Sequence, residues 1–104
     1  MATIKLNDFT IGDNQPAFII AEIGINHQGD VKIAKELISK AADAGANAVK
    51  FQKRSISRIL TKEGLKMPYD NPNSFGKTYG EHKKALELSE QDYKELFNFS
   101  LTQN

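Results

Sequence analysis

Apolar and polar residues alternate along "TIKLNDFTIGD", with a break at "ND". Ile4 and Leu6 fall on one strand face, and Phe9 and Ile11 on another, which predicts a short hairpin over residues 1–15. Pro16 interrupts the chain, and "AFIIAEI" follows. That run is too apolar for a strand with one wet face and suits a strand buried on both, as in parallel sheets covered by helices. Asp30 is then a suitable N-cap for "VKIAKELISKAADAGA". Ile33, Ala34, Leu37, Ile38 and Ala41 recur at helical spacing, while Lys32, Lys35, Glu36, Lys40 and Asp43 take the outer face. Gly45 is placed to end that helix, and "ANAVKFQ" reads as a second strand. Residues 16–52 therefore predict one βαβ unit of about 30 residues with parallel strands.

The periodicity lapses over residues 53–77. "RSISRIL" predicts a turn of helix, and "KMPYDNPNSFGK" holds two prolines and a cluster of turn formers. A loop of this length in a small domain points to function or disorder. Helical signals return over residues 78–104. Thr78 with Glu81 spells a capping box, and Ser89 with Asp92 marks a second helix start. Tyr93, Leu96, Phe97 and Leu101 form its expected apolar stripe.

Composition narrows the function classes. The chain has 104 residues, enough for one modest core. Fourteen basic and thirteen acidic side chains leave a net charge of +1, which gives no electrostatic reason to expect nucleic acid or an anionic membrane. There is no cysteine, hence no disulfide framework and no thiolate metal site. No segment reaches the ~18 apolar residues of a membrane span, and the N-terminus has no apolar signal core. The expected setting is cytoplasmic.

Strand alternation gives the chemistry its direction. In "AVKFQ", Val49 and Phe51 point to the packing helices, so Lys50 and Gln52 face the other side. In an open sheet that side is also covered, and an unpaired lysine there is costly. In a closed parallel barrel it is the interior, whose strand ends line the active site. Glu22 occupies the equivalent place on the first strand, where it can meet Lys50. Such a pair is either a structural ion pair or part of a site. Asn26 and His27 in the following loop are further candidates, each weighed against an ordinary turn former or loop histidine. Lys53 and Arg54 read as solvated. Together these groups suit an anionic, hydroxyl-rich ligand, with Lys50 on carboxylate or phosphate and Glu22 and Gln52 on hydroxyls.

"IIAEIGINHQGD" followed by "AADAGANAVKFQ" closely resembles the start of the sialic acid synthase family, N-acetylneuraminate synthase and its relatives. "PYDNPNSFGKTYGEHKKALELSEQDYKEL" is similar to the same family's next region, and the resemblance covers roughly residues 15–97. It implies a (β/α)8 (TIM) barrel, of which this chain would be the hairpin and the first two βα units. It implies condensation of phosphoenolpyruvate with an N-acetylmannosamine-type sugar, releasing phosphate and giving a nine-carbon sialic acid. A divalent metal, manganese or magnesium, is implied for the full-length family, with no metal ligands in this stretch. By the same resemblance Glu22 matches a catalytic glutamate, Lys50 and Gln52 bind substrate, and Asn73 and Tyr79 lie near the sugar.

A whole barrel needs ~250 residues, so the expectation is a truncated fragment, inactive alone, that self-associates as a homo-oligomer through exposed strand edges. A non-catalytic binding module and a fragment of another barrel aldolase are the alternatives.

Overall fold

The computed structural model describes residues 2–69 and 71–103. Met1, Asp70 and Asn104, which the expected boundaries and the long loop include, lie outside the described residues. The chain runs β1 (Thr3–Leu6), β2 (Phe9–Gly12), β3 (Ile20–Gly24), α1 (Val31–Asp43), β4 (Ala48–Phe51), α2 (Ile56–Ile59), α3 (Lys62–Lys66), α4 (Tyr79–Ala85) and α5 (Glu90–Leu101). It is a mixed α/β architecture.

The expected hairpin forms: β1 and β2 pair antiparallel, Ile4 opposite Ile11. β3 and β4 pair parallel, joined through α1, as the βαβ reading requires. Asp30 caps α1 by accepting from the Lys32 amide at 2.8 Å, and Gly45 follows the helix at φ +93°. Both capping boxes are present, Thr78 with Glu81 on α4 and Ser89 with Asp92 on α5. Each satisfies two amides that a helix start leaves free.

One layer of helix covers the β3–β4 sheet. Ile23, Ala34, Ile38, Leu88 and Leu96 form the core, with Val49 and Phe51 packed against it as alternation predicts. α1 lies against α5, fastened by Lys35 to Glu95 at 2.8 Å and by the Ser39 hydroxyl donating to Gln103 at 3.0 Å.

Four local expectations need correction. β3 is not buried on both faces: Ile20 is 57% exposed, and Ile19 just before the strand 52%, because among the described residues no layer covers that end of it. Lys35 belongs to the α1–α5 seam, not the outer face, and its ammonium sits over the Phe99 ring. Within residues 53–77 the chain is less irregular than its composition suggests. It holds α2 and also α3, which Thr61 caps by accepting from the Gly64 amide, and Pro68 bridges to Thr78. The α5 stripe is split: Leu96 is buried and Phe99 packs on the core, whereas Phe97 and Leu101 stay 65% and 68% exposed. The last two border a cleft of ≈ 460 Å³ with Ile38 and Val49, beside β4.

Candidate functional site

Register decides where the acid goes. In the parallel pair Glu22 stands directly opposite Lys50, and the register shifts between Glu22 and Gly24. The Lys50 ammonium donates to Glu22 Oε2 at 2.7 Å, with both side chains about half exposed (55% and 50%). A Cβ at Gly24 would stand 3.4 Å from Glu22 Oε1 and 4.0 Å from the Gln52 amide carbon. The carboxylate and the Gln52 amide therefore overhang the same bare stretch of backbone. Glu22, Lys50 and Gln52 converge near the carboxyl ends of two parallel strands, on the side away from the helices. Lys50 carries three donors and uses one on Glu22, leaving donors for an anion.

Behind these residues the chain is pinned from the helix side. The Tyr93 hydroxyl donates to the Gln52 carbonyl at 3.2 Å. Burial raises the Tyr93 pKa, with the Glu87 charge acting the same way and Arg54 opposing. Two residues on, the Arg54 amide donates to Glu87 Oε2 at 3.2 Å, and Arg54 Nε lies 3.6 Å from Glu87 Oε1. Arg54 is thus turned inward, with its side chain 21% exposed, and not solvated as its sequence context suggests. Lys53 is exposed as expected.

His27 also departs from expectation. It is not an ordinary loop histidine but is fully buried, 5.8 Å from the Phe51 ring centroid. Its Nδ1 accepts from the Gly29 amide at 2.9 Å, and its Nε2 reaches no partner at hydrogen-bond geometry. Burial lowers the His27 pKa, because the imidazolium would lose its hydration; the Glu87 charge and the Gly24 backbone oppose this more weakly. Asn26 stays exposed, with its side-chain amide donating to the Ile23 carbonyl at 2.9 Å, the role of a turn former.

Asn73 and Tyr79 lie elsewhere, Asn73 in the loop before α4 and Tyr79 as the first residue of α4. The Asn73 amide donates to Asn71 Oδ1 at 2.8 Å, and the Tyr79 ring lies against Tyr69 and His82. Among the described residues no hydrogen bond, ion pair or ring contact joins either one to Glu22, Lys50 or Gln52. The sequence reading missed Glu87. Its signal was available: a lone acid between two leucines in "LELS", the same kind of interruption that marks Glu22. The metal implied by the resemblance finds no fitting donor set here. No three His, Cys, Asp or Glu side chains converge among the described residues, and the Glu22 carboxylate is held by an ammonium. No helix among the described residues is long and apolar enough to cross a membrane.

Fold and site together define a mixed α/β protein with a polar pair at the ends of parallel strands. Residues 37–104 match the NeuB family, and the chain belongs to that family. Over 90 residues it is 48% identical to N-acetylneuraminate-9-phosphate synthase of Mus musculus, covering 86% of this chain and 25% of that protein. It is 45% identical over 83 residues to N,N'-diacetyllegionaminic acid synthase of Legionella pneumophila, covering 79% and 23%. The crystal structure of an N-acetylneuraminic acid (sialic acid) synthetase from Leptospira borgpetersenii, in complex with citrate, superposes with a TM-score of 0.74 at 33% identity, over 99% of this chain and 32% of that one. The chain thus spans about a quarter of the length of the curated relatives it matches.

Proposed function

We propose that this chain forms the first wall of a sialic acid synthase site, in which phosphoenolpyruvate is condensed with an N-acetylmannosamine-type sugar. The observation that carries the reading is the 2.7 Å Glu22–Lys50 pair across two parallel strand ends, in a chain whose relatives are sialic and legionaminic acid synthases. In this reading β3, α1 and β4 are the first units of a (β/α)8 barrel. Their helix-free face is the barrel interior, where strand ends carry the chemistry.

Lys50 holds the phosphate or carboxylate of phosphoenolpyruvate by charge-assisted hydrogen bonds. The methylene carbon of phosphoenolpyruvate forms a bond to the sugar's aldehyde carbon, whose oxygen takes a proton; water adds at the phosphate-bearing carbon and gives up a proton, and the C–O bond to phosphate breaks as phosphate leaves. Glu22 orients the water or a sugar hydroxyl, and Gln52 takes a hydroxyl at the rim. Asn73 and Tyr79 approach the sugar only if the loop before α4 and the start of that helix fold over the strand ends. Exposed Ile19, Ile20, Phe97 and Leu101 would favour self-association of the chain.

Calorimetric titration of the chain with phosphoenolpyruvate tests the reading. The expected result is binding that disappears in Lys50→Ala, without turnover when N-acetylmannosamine is added. Absence of binding by the unaltered chain, or binding indifferent to Lys50, would overturn it.

A further inference from the structure

The residues that follow both strand ends are pinned to one short junction, the turn from Ala85 to Ser89 between α4 and α5. Glu87 sits in that turn, and its own amide donates to the Lys84 carbonyl at 3.1 Å. Its carboxylate takes the Arg54 amide at 3.2 Å and faces Arg54 Nε at 3.6 Å, so it fixes backbone two residues beyond Gln52. Four residues along α5 from Ser89, Tyr93 fixes the Gln52 carbonyl. The same junction meets the other loop. Gly29 sits at φ +75° against the Ala85 carbonyl, so closely that no side chain fits between them. Gly29 in turn holds His27, which packs on Phe51 of β4.

As a stability device the Glu87–Arg54 pair is poor. It is largely buried, with side chains 15% and 21% exposed, yet Glu87 Oε1 and Arg54 Nε and Nη2 reach no hydrogen-bond partner. A buried ion pair with unmet bonding capacity is weak evidence for stability. We infer that Glu87 is a positioning residue: from the α4–α5 turn it holds the segment after β4, and so Lys50 and Gln52, in register with the loop after β3. It touches no substrate and acts through Arg54 and the Ala85–Gly29 contact. The geometric inference stands without the proposed function; its consequence for ligand affinity rests on the phosphoenolpyruvate reading.

Amide hydrogen exchange on the 104-residue chain tests it, with phosphoenolpyruvate affinity as the second readout. Glu87→Gln keeps the shape and removes the charge. It should speed exchange at the Arg54 and Gly29 amides about tenfold relative to Ala34 and Ile38 in α1, the mark of local opening. Glu87→Asp, which keeps the charge on a shorter stem, should restore part of that protection. If Glu87→Gln does not fold, Arg54→Gln carries the test with the same pattern expected. Exchange unchanged at both amides, or accelerated equally in α1, overturns the inference. If the unaltered chain binds phosphoenolpyruvate, Glu87→Gln should weaken it about tenfold with Lys50 intact, and unaltered affinity overturns the positioning role. If the unaltered chain does not bind, the functional reading fails and the exchange pattern alone decides this one.

Discussion

Whether the Glu22–Lys50 pair holds the fold together or serves a ligand can be settled by a double-mutant cycle. The perturbations are Glu22→Gln, Lys50→Met and the combination. At 2.7 Å the bare attraction in water is about 1.5 kcal/mol. Both side chains are about half exposed, so solvent screens the pair, and holding two flexible chains in one geometry costs entropy. The net coupling expected is about 0.2–1 kcal/mol, the range of surface ion pairs and cross-strand charge pairs. Urea unfolding of the four proteins measures it as the non-additive part of the change in stability. Ligand affinity should respond very differently. A hydrogen bond from a charged donor contributes about 1.5–3 kcal/mol, so Lys50→Met should weaken phosphoenolpyruvate roughly 10- to 150-fold. A stability coupling above about 2 kcal/mol with unchanged ligand affinity would refute the argument and make the pair a structural one.

The lowered pKa of His27 gives a pH dependence. Below its ordinary value of 6.5 the unfolded chain takes a proton that the folded chain refuses, so stability is full above pH 6.5 and falls as the pH drops toward the folded pKa. His82, nearly buried beside Lys83, shifts in the same direction. Urea unfolding from pH 7 to pH 5 measures the sum, and imidazole NMR titration assigns each part; a His27 that titrates at or above 6.5 refutes the reading. Leu96→Ala removes a core side chain only 2% exposed and should cost about 2–5 kcal/mol, whereas Leu101→Ala, at 68% exposed, should stay within about 0.5 kcal/mol in the same unfolding assay. Gly29→Ala forces both a positive φ and a clash with the Ala85 carbonyl, and should lower the thermal midpoint by an amount equivalent to roughly 1–3 kcal/mol; a neutral effect would show that the loop and the α4–α5 turn are not in contact.

The sequence by itself determined most of the elements, with their caps, and the facing of β4. Asp30, Gly45 and the two capping boxes act on their own backbone within a few residues, so "D…AG", "TYGE" and "SEQD" could be read without knowing what lay beside them. Alternation in "AVKFQ" separated Val49 and Phe51 from Lys50 and Gln52, and the βαβ unit made the strands parallel; those two facts let Glu22 meet Lys50, and the register of the folded pair sets them opposite. Tertiary structure decided what depends on a neighbouring layer. Ile20, Phe97 and Leu101 are as apolar as Ile23 and Leu96, but burial requires a partner surface, and among the described residues only the second pair has one. His27 and Arg54 read as loop polar groups, yet both turn inward, because the α4–α5 turn brings Glu87 and the Ala85 carbonyl within reach. Charge pairs formed more than thirty residues apart in the chain leave no periodicity to read. The local half of the candidate site is written in strand alternation, and the half that holds it in place exists only once α4 and α5 have packed.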